Sequence, residues 1–237
     1  MDLSVVFGTH NRLQFLLDCI GAIRASVGDL KYEIVVVDGG STDGSREYLA
    51  VQEDVVLVGE HILEGAIKAF NKGFSLARGW AVANINDDVI VIGDCLKRAY
   101  DYLRHFQETV AQVAFIFDVH LSGQFRRGDT VHGCQAANFG MSQKLLGDYV
   151  NWWGTTYHTY GGDTECSIKY WEAGWEVHSR GECKVHHMEV HDALRRPNDA
   201  ARHFWSIWTP ERVAAFPKTP KPRSEIEAEM AKRVKLW

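Results

Sequence analysis

Trp80-Ala81-Val82-Ala83-Asn84-Ile85-Asn86-Asp87-Asp88 is the stretch on which the reading of this chain turns. An apolar run long enough for one buried strand gives out in two adjacent carboxylates. Like charges that close repel unless something neutralises them. A hard divalent cation is the usual partner for such oxygens, and its remaining coordination positions suit a diphosphate. Surface loops also carry Asp-Asp, so the meaning of the pair rests on its neighbours.

Upstream, the same pattern repeats. Leu3 to Phe7 is a short β-branched run ending at Gly8, and Glu33 to Val37 is apolar up to Asp38-Gly39-Gly40. Val55 to Val58 is a third run, and Ala81 to Ile85 the fourth. Continuous apolar runs of this kind predict parallel strands covered on both faces. Between them, Leu13 to Ile23 has apolar residues at helical spacing, Ser41-Thr42-Asp43-Gly44 reads as a turn and N-cap opening a helix through Leu49, and Ala66 to Ala77 is a third helix. Strand and helix alternate, which predicts an α/β fold with a doubly wound, mostly parallel sheet. Such sheets bind ligands beyond the carboxyl ends of their strands, where Gly8-Thr9, Asp38 and Asn86-Asp87-Asp88 all fall.

The second half is less regular. Val113 to Val119 reads as a strand, Ser122 to Gly133 as a loop, and Ala136 to Met141 as a strand followed by a short helix over Gln143 to Leu146. An aromatic and glycine loop from Trp152 to Gly162 leads into a helix from Asp163 to Ala173, and Glu182 to Val190 alternates like a strand. Past residue 208 come Pro210, Pro217, Pro220 and Pro222, then a helical stripe over Ser224 to Leu236.

Composition sets the class. The 237 residues are 46% hydrophobic and 24% charged, as in an ordinary soluble protein. A net charge of −5 with both signs interspersed argues against a general nucleic-acid binder. No apolar stretch approaches the roughly 18 residues of a membrane span, and Met1-Asp2-Leu3-Ser4 lacks the basic start of a signal peptide. Five scattered cysteines without Cys-x-x-Cys spacing read as reduced structural thiols, hence a cytoplasmic setting.

Four stretches then match a known family in order and spacing: Ser4 to Arg12, Val35 to Ser45, Asn86-Asp87-Asp88, and Gly161-Gly162-Asp163-Thr164-Glu165. Across roughly residues 3 to 190 the chain resembles the inverting glycosyltransferases of GT-A fold, specifically glycosyltransferase family 2. It departs in having Gly8 where proline is common, Gly39 where a second aspartate is common, and Asn86 at the first position of the Asp-x-Asp motif. Asparagine is a frequent variant there, so metal binding is expected to survive while the ribose contact weakens. The resemblance implies a catalytic domain over 1–208, with a nucleotide-binding half over 1–92 and an acceptor-binding half over 93–208, followed by a Pro-rich, basic tail over 209–237.

Site residues follow from the same resemblance. Asp88 is the expected ligand of Mn2+ or Mg2+, with Asp87 beside it; otherwise both are turn carboxylates. Thr9 and Asp38 would hold the nucleotide base, a carboxylate accepting a base N–H suiting uracil or thymine, or else they only end their strands. Lys68 would approach the diphosphate or is a solvated helix lysine. Asp163 matches the base that takes the acceptor's proton, and it is also placed to cap its helix; Glu165 is the second candidate. His187 matches the histidine that returns to the metal, alternation sending His186 to the opposite face, while His178 and His191 read as structural. Trp152 and Trp153, with Tyr157 and Tyr160 nearby, would stack on a sugar acceptor or belong to the core.

The expectation is a metal-dependent inverting transfer of one sugar from a nucleotide-sugar donor, a UDP- or dTDP-sugar, to a saccharide or glycan acceptor. Nucleic acid is not an expected partner, and association into a homo-oligomer stays open. The basic tail either lies peripherally on an anionic membrane surface or docks back on the domain. Two rivals stand beside this: a sugar-phosphate nucleotidyltransferase, for which Gly8 to Arg12 is a poor triphosphate loop, and a non-catalytic nucleotide-sugar binder.

Overall fold

The computed structural model describes residues 1–119, 124–126, 130–154, 161–188 and 200–234. The first half runs β1 (Leu3–Thr9), α1 (Leu13–Ser26), β2 (Tyr32–Asp38), α2 (Ser45–Ala50), β3 (Val55–Gly59), α3 (Ala66–Leu76) and β4 (Ala81–Asn84). It continues through β5 (Val89–Val91), α4 (Cys95–His105), β6 (Val110–Val119), β7 (Gln124–Arg126), β8 (Thr130–Val131), β9 (Cys134–Gln135) and β10 (Gly140–Gln143). Then follow α5 (Lys144–Tyr149), α6 (Gly162–Glu172), β11 (Glu176–His187), α7 (Ala200–Ile207), α8 (Pro210–Ala214) and α9 (Arg223–Val234).

The apolar runs form the centre because both of their faces are covered. Val5, Val6, Phe7, Ile34, Val35 and Val36 are all fully buried. α1 covers them with Leu16, Ile20 and Ile23, and α3 packs with Ile67, Phe70 and Phe74. Helix α3 comes so near that a methyl group on Gly73 would lie 2.3 Å from Cγ1 of Val6.

Among the described residues the main sheet has the order β3-β2-β1-β4-β10-β6-β11-β5, with β7 on β6. β1, β2, β3 and β4 are mutually parallel, with Thr9 opposite Asp38 and Asp38 opposite Gly59. That register brings the ends of three strands to one edge. The sheet then turns mixed: β10 is antiparallel to β4 and β6, and β11 is parallel to β6 but antiparallel to β5.

Several expected elements shift. The strand expected over Ala136 to Met141 lies at β10, because Gly140 lets the backbone approach within 2.6 Å of the Val113 carbonyl at the position its Cβ would take. The strand expected from Glu182 begins six residues earlier, at Glu176; an irregularity between Ser179 and Lys184 breaks its alternation and hides the first part. The loop expected over 122–133 contains β7, which pairs back on the end of β6, and β8, which forms a short hairpin with β9. Helix α4 was not among the expected elements. The tail docks on the domain: Ile226 of α9 is fully buried, Lys221 N–H donates to the Ala173 carbonyl, and Arg223 donates to Gln143. No described helix is long and apolar enough to cross a membrane.

One buried charge ties the non-site edge together. Glu33, 3% exposed, accepts from Ser4 Oγ at 2.6 Å, from the Arg78 N–H at 2.8 Å and from its guanidinium at 2.5 Å. Burial pushes this carboxyl up, but the Arg78 and Ser4 hydrogen bonds outweigh it and hold it below the ordinary range. A depressed carboxylate stabilises the fold above the unfolded value of about 4.3 and loses that contribution as pH falls through the folded value. Glu33→Gln is therefore expected to cost about 1–3 kcal/mol at pH 7, at the lower end because Arg78 is 65% exposed. The gap between variant and parent in urea unfolding should narrow at pH 3.5; an equal gap at both values would remove the charge argument.

Candidate active site

The acidic turn is built by β4 running into β5. Asn84 is the last residue of β4, Val89 the first of β5, and Asp87 and Asp88 sit in the turn between, each only 4% exposed. Burial at this level makes their charges costly unless partners arrive. Three arrive from distant parts of the chain. Thr9, at the end of β1, donates its hydroxyl to Asp87 Oδ2 at 2.9 Å. Arg12 places one nitrogen, Nη1, 3.0 Å from Asp87 Oδ1 and 3.3 Å from Asp88 Oδ2. His187, at the end of β11, puts Nε2 3.3 Å from Asp88 Oδ1.

His187 is there because β11 pairs with β5, setting His187 opposite Val89, and because the Met188 N–H donates to the Asp88 carbonyl at 2.9 Å. The rings of Phe139 and Phe117 stand edge-on to the imidazole, with centroids 5.1 and 6.4 Å away. Among the described residues no donor meets buried Asp88 Oδ1 with hydrogen-bond geometry. A buried carboxylate oxygen left open beside an imidazole nitrogen is the chemistry of a divalent-cation seat. Among the described residues no set of three or more His, Cys, Asp or Glu side chains forms a ready-made metal cluster. Asp88 and His187 would supply two ligands, with water and diphosphate oxygens completing the shell.

The two carboxyls are pushed in opposite directions. Burial raises Asp87, Arg12 pulls it back and the Asp88 charge adds, leaving it at about 6. Burial also acts on Asp88, but His187 and Arg12 outweigh it and hold that group below the ordinary aspartate range. Asp88 is the carboxylate that keeps its charge, which is what a metal ligand needs.

The loop after β1 meets the loop after β2. Asn11 adopts φ +52, a left-handed conformation that asparagine tolerates. It accepts from Thr42 N–H at 2.7 Å, and its own N–H donates to Ser41 Oγ at 2.9 Å. Asp43 accepts from Leu13 N–H, fixing the start of α1. Asp38 is fully enclosed: Ser41 N–H donates to it at 3.1 Å and Arg46 Nε lies 3.1 Å from Oδ2. Its carboxylate braces the loop from behind, a part that its place at a strand end does not reveal.

Asp163 lies in the first turn of α6, after Gly161 at φ +96, and accepts from the Thr164 N–H at 2.7 Å. Two chains of contact run from α6 toward β1 and β4. Gly162 abuts Ile67 and Trp153, while Ala69 of the same helix as Ile67 meets Gly8, next to Thr9. On the other side Ser167 Oγ accepts from Ala137 N–H, and Asn84 Nδ2 donates to the Asn138 carbonyl. Glu165 accepts from the Gly154 N–H at 2.9 Å.

Other expected members sit apart. Trp152 stacks on Phe74 at 4.2 Å and Trp153 packs on Phe70 at 4.3 Å, both under 10% exposed, so of the two expectations for them the core is the one their packing fits. Their faces are already taken by phenylalanine rings, which is the cheaper place for so much apolar area. Lys68 is 66% exposed and 3.8 Å from Glu64, as a solvated helix lysine would be. His178 bonds Tyr102 and Glu176, away from the acidic turn. Tyr157, Tyr160 and His191 lie outside the described residues. Arg12 was not among the expected site residues, although it closes the first of the family-matching stretches, three residues past Thr9.

Comparison with known proteins follows the same lines. The family model described as Glycosyl transferase family 2 matches residues 4–161. An uncharacterized glycosyltransferase of Nostoc sp. (strain PCC 7120) is 35% identical over 92 residues, 37% of this chain and 28% of the relative. Among solved structures, a mannosyltransferase from Pyrobaculum calidifontis, in complex with GDP-Man and Mn2+, aligns with a TM-score of 0.63 at 19% identity, over 83% of this chain and 58% of that one. S. aureus TarS 1–349, in complex with UDP, aligns with a TM-score of 0.62 at 15% identity, over 78% and 60%. The expected GT-A fold is borne out by these likenesses, and the matched part is under two thirds of each of these proteins.

Proposed function

Because the chain belongs to glycosyl transferase family 2, we propose that it is a glycosyltransferase that moves one sugar from a nucleotide-sugar donor, a UDP- or dTDP-sugar, to a saccharide acceptor with inversion, using Mn2+ or Mg2+ held at Asp88. One observation carries this reading: the buried, donor-less Oδ1 of Asp88, 3.3 Å from Nε2 of His187 and beside a second carboxylate. A divalent cation at that seat supplies the positive charge that offsets the diphosphate as it departs.

The chain's own groups do the rest. Thr9 fixes Asp87 through its hydroxyl, so the acidic turn keeps one shape while a ligand enters. The loops after β1 and β2 are locked to each other by Asn11, Ser41 and Thr42, giving the nucleotide a preformed edge. Asp163 takes the proton of the acceptor hydroxyl as that oxygen forms its bond to the anomeric carbon. The bond from that carbon to the diphosphate breaks at the opposite face, the electron pair leaves with the nucleotide, and the configuration inverts.

The test is a panel of UDP-, dTDP- and GDP-sugars offered with Mn2+, Mg2+ or a chelator. Release of nucleoside diphosphate, dependent on the cation and fastest with UDP or dTDP donors, is the expected result. Release of pyrophosphate from a nucleoside triphosphate and a sugar phosphate would instead establish the nucleotidyltransferase. Binding of sugar nucleotides with neither product would establish a non-catalytic binder.

A further inference from the structure

We infer that Arg12 is the resident counter-ion of the acidic turn: it holds Asp87 and Asp88 when no metal is bound, competes with the metal for them, and lends its charge to the donor diphosphate once the metal arrives. This rests on the reading of Asp88 as a cation seat.

The geometry is specific. A single nitrogen of Arg12 lies 3.0 Å from Asp87 and 3.3 Å from Asp88, on the Asp88 oxygen that His187 does not approach. The Arg12 side chain is 20% exposed against 6% for each aspartate, so the guanidinium is the group of the three more open to an incoming ligand. Its backbone is held in place by the left-handed Asn11 before it and by the start of α1 after it. A flexible side chain on a fixed base can trade partners without moving the loop.

Charge decides the direction of that trade. A divalent cation on Asp88 sets two further positive charges beside the guanidinium, on a carboxylate the two would share. The guanidinium and the cation then repel across the shared carboxylate, in a site dry enough for the repulsion to count. A donor diphosphate brings the charge that removes it, and a guanidinium is well shaped to bind phosphate oxygens. The leaving nucleotide gains one further negative charge, so Arg12 matters more as the bond breaks than when the donor first binds.

The competition gives a signature that a plain structural brace would not. Arg12→Gln is expected to bind Mn2+ alone more tightly than the parent, on the order of tenfold by titration calorimetry, and to show a larger Mn2+-induced rise in Tm from a lower metal-free Tm. With Mn2+ saturating, its affinity for UDP should fall, and transfer should fall further, by about 10²-fold. Arg12→Lys, which keeps a cation but loses the fork, should lie between on every measure. Mn2+ affinity that is unchanged or weaker in Arg12→Gln, or in Arg12→Lys should the first variant not fold, overturns the inference while leaving the metal site standing. No Mn2+ binding by the parent protein overturns the metal reading itself, and this inference with it.

Discussion

Asp88→Asn is expected to lose the Mn2+-dependent rise in Tm and to lower sugar transfer by about 10³-fold or more. The substitution keeps the shape of the side chain and an oxygen for Arg12 Nη1, so the turn retains its hydrogen bond. What goes is the charge on a buried group that His187 and Arg12 hold ionised. His187 alone would be left to hold the cation, and one imidazole does not retain Mn2+ at ordinary concentrations. Leaving-group stabilisation of several kcal/mol disappears with the cation, each 1.4 kcal/mol being about tenfold in rate. Thermal shift with and without Mn2+, followed by nucleoside diphosphate release, measures both effects. Transfer within tenfold of the parent, with the thermal shift intact, would sink the assignment.

The second large effect is on the acceptor side. Asp163→Asn is expected to bind donor and Mn2+ within about twofold of the parent while transfer falls by about 10²–10⁴-fold, the range for a lost general base. Folding should be spared, because the asparagine oxygen can still accept the Thr164 N–H and because Gly161, at φ +96, sets the helix start. Glu165→Gln is the contrast. That carboxylate is engaged with the Gly154 N–H and lies 3.6 Å from Lys169, so its loss should lower stability more than turnover. If Asp163→Asn turns over normally and Glu165→Gln does not, the base has been assigned to the wrong carboxylate.

The parts of the site legible in the sequence share one property: their evidence lies within a few residues. Asp87 and Asp88 stand at the end of an apolar run, and both the run and the break are local. Thr9 and Asp38 were placed at the correct edge by counting strands, which needs only the alternation of strand and helix. What Asp38 does there was not legible, because Arg46 and Ser41 enclose it through a loop fold that spacing alone does not specify. Trp152 and Trp153 were ambiguous for a related reason. Aromatic residues serve cores and sugar sites equally well, and only the position of Phe70 and Phe74 settles which.

The amino-acid order alone determined that four apolar segments, separated by helices, would line up side by side and deliver polar residues to one edge. It did so because burying a continuous apolar run on both faces leaves few alternatives to a covered parallel sheet. Tertiary structure decided which partners meet those residues: Arg12 reaches Asp88 across 76 positions, and His187 reaches it only because β11 crosses to pair with β5. Such meetings depend on strand order and register across the whole sheet, and no local periodicity encodes them.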